Sequence, residues 1–200
     1  MKRRLLILII AAALGVGVAA LSTMVLRSMQ PEKPQVLSGK ALIGGTFTLT
    51  DHTGRRVSEK DFAGRFMLIY FGYTFCPDVC PAELQVMSAA LDQLGDKAKN
   101  VTPVFITIDP ERDTVKQMAS YVTNFHERLV GLTGTAEEIR AAAKAYRVYY
   151  AKAKDDASST DYMMEHSSIV FLMSPKGEYL AHFTYGTGVD KMAAGIAKFL

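Results

Sequence analysis

Two apolar runs, Phe66-Met67-Leu68-Ile69-Tyr70-Phe71 and Val101 to Ile108, constrain this 200-residue chain more than any other feature. A strand with one wet face alternates apolar and polar residues; these runs do not, which marks central strands buried on both faces. Between them, from Pro81 to Leu94, the residues Leu84, Met87, Ala90, Leu91 and Leu94 recur at helical spacing. Two buried strands joined through a helix form a β-α-β unit, with the strands parallel.

The rest of the chain elaborates that unit. Thr46 to Thr50 alternates as a strand does, and Asp51-His52-Thr53-Gly54 supplies turn chemistry before Arg55-Arg56-Val57, which predicts an opening β-hairpin. Asp113-Thr114 opens a helix through Phe125, and the capping box Thr135-Ala136-Glu137-Glu138 opens another through Tyr146, with a short strand at Leu129 to Leu132 between them. Ser168 to Met173 is a further apolar strand, Ser174 to Gly177 turns it, Glu178 to Thr184 returns antiparallel, and Val189 to Leu200 closes the chain as an amphipathic helix. The expected class is α/β with a mixed sheet. Ala153 to Met164, rich in Asp, Ser and Thr, is the one long loop, and Tyr146, Tyr149 and Tyr150 read as core.

Leu5 to Leu26 carries no charge over 22 residues, about 33 Å of helix at 1.5 Å per residue, enough to span a hydrocarbon core of roughly 30 Å. Lys2, Arg3 and Arg4 precede it, which places the N-terminus in the cytoplasm and the remainder across the membrane. A cleaved signal peptide is the other reading, but its apolar stretch is usually shorter. The expected organisation is an anchor or signal at residues 1–27, a tether with Pro31 and Pro34 at 28–42, and a working domain at 43–200, in the periplasm of a bacterium with the anchor in its inner membrane. Residues 1–30 hold four of the 23 basic residues and none of the 20 acidic ones, so the remaining domain is almost neutral. With no basic stripe it has no footprint for a nucleic acid.

The two cysteines stand in Cys76-Pro77-Asp78-Val79-Cys80, after a buried strand and where the next helix begins. Unpaired amides and the macrodipole at a helix N-terminus favour thiolate over thiol at both sulfurs, and Pro81 suits about the first helical position. Cysteines four apart there face each other, so they can hold one soft ion, Cu(I) or Zn, or cycle between dithiol and disulfide. Two inert buried thiols are the plainer alternative. The spacing alone does not choose between metal and redox chemistry.

At this point the chain resembles a known family. Phe71-Gly72-Tyr73-Thr74-Phe75-Cys76-Pro77-Asp78-Val79-Cys80-Pro81 is similar to the signature of the Sco/SenC proteins, thioredoxin-fold copper chaperones; Asp109-Pro110-Glu111-Arg112-Asp113-Thr114 is similar to their second acidic motif, and Glu165-His166-Ser167 to their ligand histidine. The resemblance covers roughly residues 42 to 200 and extends to the single N-terminal anchor. It implies a thioredoxin-like mixed sheet flanked by helices, extended by the N-terminal hairpin. It also implies one copper ion per chain, Cu(I) or Cu(II), held by Cys76, Cys80 and His166. The partner implied is the copper-accepting subunit of cytochrome c oxidase, whose binuclear centre is matured, with other periplasmic copper or thiol proteins as further partners. Members commonly have aspartate before the ligand histidine, where this chain has Glu165.

Among the four histidines, His52 falls in the hairpin turn, His126 at a helix end where its positive form suits the dipole, and His182 in the C-terminal strand. His166 ends the long loop just before a core strand, and in a thioredoxin-like topology that loop faces the cysteine turn. Where thioredoxins carry a cis-proline, this chain has Ser167-Ser168. Met163 and Met164 offer soft thioethers, but with no Met-x-x-Met run they read as a cover for the site or a partner contact. Asp78, Asp109 and Glu165 are candidates to support the ligands, Asp109 before Pro110 being also an ordinary strand-ending residue. The leading reading is a copper chaperone and not an enzyme. Its rivals are a thiol-disulfide oxidoreductase, with Cys76 attacking and Cys80 resolving, and a peroxidase of the same fold, for which no second catalytic constellation is visible. Because Ala153 to Met164 has little to bury, it is expected to move without copper, with His166 swinging at its end.

Overall fold

The computed structural model describes residues 42–153 and 162–200. The strands are β1 (Thr48–Asp51), β2 (Arg56–Ser58), β3 (Phe66–Gly72), β4 (Val101–Thr107), β5 (Val130–Thr133), β6 (Tyr150–Lys152), β7 (Met164–His166), β8 (Ile169–Met173) and β9 (Tyr179–Thr184). The helices are α1 (Val79–Leu94), α2 (Val115–Val122), α3 (Ala136–Ala145) and α4 (Val189–Ala197). Seven strands form one mixed sheet in the order β2-β1-β5-β4-β3-β8-β9, flanked by the helices, while β6 and β7 form a separate two-stranded sheet.

The β-α-β unit is as its sequence requires. β3 and β4 pair in parallel from Phe66 opposite Val101 to Gly72 opposite Thr107, and β8 covers the other edge of β3 antiparallel. From Met67 to Phe71 every residue of β3 is buried, and α1 turns Leu84, Met87, Ala90 and Leu91 into the core. The opening hairpin pairs Thr48 with Ser58. Its turn is fastened by the Asp51 carboxylate, which accepts hydrogen bonds from the amide and hydroxyl of Thr53 and from the amide and guanidinium of Arg55. Against burial, which raises its pKa, these bonds hold Asp51 at about 2. At the β8–β9 turn, Gly177 takes a φ of 75° and Ser174 Oγ accepts the amides of Lys176 and Glu178.

Several boundaries depart from the sequence reading. α1 begins two residues before Pro81, which therefore occupies its third position rather than its first. α2 ends at Val122 rather than Phe125: the Thr123 hydroxyl and the Asn124 side-chain amide donate to the Ser120 carbonyl, and Asn124 also to that of Tyr121, removing acceptors that a further turn would use. α3 has its reciprocal Thr135–Glu138 box but stops at Ala145, and α4 stops at Ala197. Tyr146 is core, whereas Tyr149 is exposed and Tyr150 half-buried.

Ala153, Tyr162 and Met163 are loop as expected, but the strands that flank this stretch are not foreseen in the sequence. β6 and β7 pair antiparallel, with Tyr150 opposite His166 and Lys152 opposite Met164, and the Ala153 amide donates to the Met163 carbonyl. Period-two pairing over three residues on each side is too short to show in composition, so the polar tip concealed a hairpin. Residues 154–161, on which the expected motion chiefly falls, lie outside the described residues, as do the apolar run Leu5 to Leu26 and most of the tether. No helix among the described residues is long and apolar enough to cross a membrane.

One buried carboxyl lacks the hydrogen bonds that its neighbours in the core have. Glu83, on α1 one turn after Cys80, is 2% exposed, and its Oε1 has no hydrogen-bond partner among the described residues. Burial pushes its pKa up to about 7. The folded chain therefore keeps a proton that the unfolded chain releases at the ordinary carboxyl pKa, and stability present below about 4.5 is lost as pH rises through 7. Glu83→Gln, neutral throughout, is expected to melt higher than the parent at pH 8 and equally at pH 4.5; a difference independent of pH in thermal melts would contradict this.

Candidate metal centre

Both cysteines are placed by the junction of β3 and α1. Asp78 is the N-cap residue of α1; its carbonyl accepts the Ala82 amide, but its side chain makes no cap. The cap is instead the sulfur of Cys76, which accepts the Cys80 amide at 3.3 Å. A negative sulfur at a helix N-terminus receives both an amide and the helix dipole. The Cys80 thiol and amide together draw the Cys76 pKa down to about 5, against partial burial. Cys80 is fully buried, and its partner sulfur and its burial push its own pKa up. The pair is thus one thiolate and one thiol, both cysteines free.

Glycine at position 72 is a condition of this arrangement. A Cβ there would stand 2.9 Å from Cys80 Sγ and 2.9 Å from the Phe105 ring. Only a residue without a side chain lets the sulfur lie against the end of the strand.

His166 arrives from the other side. Its Nε2 lies 3.5 Å from Cys80 Sγ, and its Nδ1 lies 3.2 Å from the Ser167 carbonyl oxygen. A carbonyl only accepts, so that contact puts the proton on Nδ1 and leaves the Nε2 lone pair facing the Cys80 sulfur. Burial lowers the His166 pKa and favours this neutral form. The rings of Tyr70 and Tyr73 meet the imidazole edge-on at centroid distances of 6.0 and 6.3 Å. Contacts remain pairwise, Cys76 with Cys80 and Cys80 with His166: among the described residues no three His, Cys, Asp or Glu side chains are already gathered in metal-holding geometry.

A largely apolar cavity of about 380 Å³ is lined in part by Cys76, Asp78, Met163, Met164, His166 and Tyr185. A larger cavity, about 480 Å³ beside Thr46, Glu59 and Glu138, holds none of the candidate residues. Met164 is buried and Met163 exposed, and the Tyr73 hydroxyl donates to the Met163 sulfur, so both methionines border the site. Glu165 is exposed; next to His166 on a strand, it projects to the opposite face. Asp109 is buried but bound elsewhere, accepting from the Arg112 guanidinium and the Tyr162 hydroxyl. Of the other histidines, His52 Nδ1 accepts the Gly131 amide and His182 Nδ1 lies against the Tyr179 hydroxyl. His126 is not the dipole-stabilised cation expected: its imidazole is almost fully buried, Nδ1 accepts the Arg128 amide, and burial lowers its pKa.

One residue of the site escaped the sequence reading. Asp113 opens α2 and belongs to the acidic motif, but the sequence assigns it no contact, and it is wholly buried. Its carboxylate accepts the amide and hydroxyl of Thr74 and the hydroxyl of Thr107. It thereby fixes the loop that leads to Cys76. A buried aspartate followed by an N-cap threonine, beside threonines at both strand ends, was the available signal.

The SCO1/SenC family model matches residues 35–200. "Protein SCO1 homolog 1, mitochondrial" of Arabidopsis thaliana is 45% identical over 162 residues, covering 80% of this chain and 48% of the relative. "Protein SCO1 homolog, mitochondrial" of Homo sapiens is 43% identical over 197 residues, covering 94% of this chain and 64% of the relative. The chain therefore spans between about half and two-thirds of the length of these relatives. Among solved structures, Arabidopsis thaliana ScoI with copper bound superposes with a TM-score of 0.73 at 44% identity, covering 78% of this chain and 96% of that one.

The sulfur asymmetry has a direct readout. Above pH 5 Cys76 is thiolate, so its alkylation by iodoacetamide, followed by mass mapping, is expected to vary little between pH 6.5 and 8.5, with the first adduct on Cys76. An ordinary thiol of pKa about 8.5 would gain roughly fifty-fold over the same range, and a rise of that size would contradict the assignment.

Proposed function

The chain belongs to the SCO1/SenC family, and we propose that within it this protein is a copper carrier, taking copper as cargo on Cys76, Cys80 and His166 and passing it to the copper-accepting subunit of cytochrome c oxidase. The observation that carries this reading is the His166 Nε2 lone pair, turned toward the buried sulfur of a thiolate–thiol pair by the Ser167 carbonyl. Two soft sulfurs and one imidazole suit three-coordinate Cu(I), and an added ligand would accommodate Cu(II). The copper-bound relative supports the choice of metal.

Loading costs little chemistry. Cys76 already presents a thiolate and His166 is already neutral, so only the Cys80 proton must leave as copper enters. The remaining step is geometric: the two contacting pairs must close around one ion. Release is ligand exchange, in which groups of the acceptor replace these three one at a time and nothing is oxidised or reduced. The protein is accordingly a carrier and not an enzyme. Its N-terminal apolar run holds it in a bacterial inner membrane, with the domain in the periplasm beside the acceptor, which is also where other copper or thiol proteins would meet it.

A thiol-disulfide oxidoreductase is favoured by one observation, the split between a low-pKa, partly exposed Cys76 and a buried, protonated Cys80, which is the asymmetry of an attacking and a resolving thiol. A histidine ligand separates the two readings. For the purified, reduced full chain, Cys76→Ser and Cys80→Ser are expected to abolish tight copper binding in chelator competition. His166→Ala should lose Cu(II) and weaken Cu(I) by at least about tenfold, some 1.4 kcal/mol, while its thiols still form a disulfide. Full copper affinity in His166→Ala, or reduction of protein disulfides by the parent at thioredoxin-like rates, would transfer the function to the oxidoreductase.

A further inference from the structure

Among the described residues, the hairpin that carries His166 has no backbone ladder to the main sheet: β6 and β7 pair with each other. Just beyond His166 the chain enters β8, which fixes that end of β7 against β3. The other end of β7 begins after Tyr162 and Met163. What holds that end decides where the imidazole stands, because a short strand anchored at one end can tilt about its anchor.

Beside the long contact of the Tyr73 hydroxyl with the Met163 sulfur, 3.8 Å, the main fastening is Tyr162. Its hydroxyl donates to Asp109 Oδ1 at 2.7 Å, and the Arg112 guanidinium lies over its ring at 3.7 Å from the centroid. The same guanidinium stands 4.8 Å from the ring centroid of Phe75, the residue before Cys76, and 5.7 Å from that of Tyr73. The Arg112 side chain is only 16% exposed and its Nε is committed to Asp109, itself 2% exposed. One cation therefore touches aromatic rings from both halves of the site, the cysteine loop and the histidine hairpin. Lys152 of β6 adds a second cation over Tyr162 at 4.2 Å and pairs with Glu111 at 2.8 Å. Cation–ring contacts of this kind gain strength as water is excluded from them.

We propose that Arg112, Asp109 and Tyr162 form a latch that sets the distance of His166 from the cysteine pair, and so are positioning residues for the metal centre; the inference rests on the reading of His166 as a ligand. On this account the acidic motif Asp109 to Thr114 has two jobs in two directions. Asp113 holds the cysteine loop from below through Thr74, and Asp109 with Arg112 holds the histidine hairpin to the same loop. No ligand is contacted by the latch. Its effect passes entirely through where His166 is allowed to rest.

The test is a double-mutant cycle on the full chain in detergent, with Cu(I) affinity read by chelator competition. Tyr162→Leu, which removes both ring and hydroxyl, is expected to weaken binding roughly tenfold, the usual lower range for groups that orient a ligand. Tyr162→Phe, which keeps the ring over Arg112, should recover most of that loss. In a His166→Ala background Tyr162→Leu should change affinity less than twofold, because the group it positions is gone. Equal losses in both backgrounds, or no loss in either, would overturn the latch. A second arm needs no metal: the nuclear Overhauser contact between the His166 and Tyr73 rings should vanish in metal-free Tyr162→Leu, and its persistence would likewise overturn the proposal. If His166→Ala alone costs no copper affinity, the ligand reading fails and the metal-free arm still decides the latch.

Discussion

A carboxylate with no exposure to water, Asp113, fixes the part of the molecule on which the rest of the site depends. It leaves solvent only because the Thr74 amide, the Thr74 hydroxyl and the Thr107 hydroxyl all point at it; a buried acceptor without such donors would cost about 1–3 kcal/mol or more. Thr107 ends β4 and Thr74 follows β3, so one side chain pins together two neighbouring strand ends. The Thr133 hydroxyl, at the end of β5, donates to the carbonyl of the same aspartate. Three parallel or adjacent strand ends are thus gathered at one point. From it the chain passes over Gly72 and Tyr73 to Cys76, and the first turn of α1 converts that position into a thiolate.

Against this frame stands a histidine of different support. The cysteines are held by the sheet and a helix N-terminus; His166 is held by a three-residue strand, a carbonyl contact and two tyrosine edges. The division suits a carrier. A site made wholly of rigid parts would bind copper and keep it, whereas one whose third ligand hangs on a hairpin can exchange that ligand with little disturbance to the fold.

Much of this was legible in the sequence, for identifiable reasons. The buried runs at Phe66 and Val101, with a helical pattern between them, point to the parallel pair, because a helix joining two central strands is a crossover. The Cys76–Cys80 position at the following junction predicts thiolate at both sulfurs, which holds for Cys76; Cys80 stays a thiol because burial and the neighbouring sulfur push its pKa up, and the position of His166 before a core strand brings it to the sulfurs. What the sequence hid was cooperative. Asp113 looked like helix-opening chemistry because local spacing cannot show that Thr74, 39 residues away, donates to it. The β6–β7 hairpin was concealed by its shortness and its polar tip. His126 was misread because a helix-end position says nothing of how deeply a side chain packs. Of the residues read as supports for the ligands, Glu165 faces outward, while Asp109 holds the hairpin that carries His166 through the Tyr162 hydroxyl.

The central claim is that two sulfurs and one imidazole nitrogen, from these two differently supported halves, meet around one copper ion. X-ray absorption at the copper edge of the reduced, singly loaded protein measures that ligand set directly. Two sulfur scatterers and one nitrogen scatterer, the nitrogen absent in His166→Ala, is the result the structure leads us to expect. A spectrum with the same scatterers in both proteins, or with sulfur alone in the parent, would contradict it.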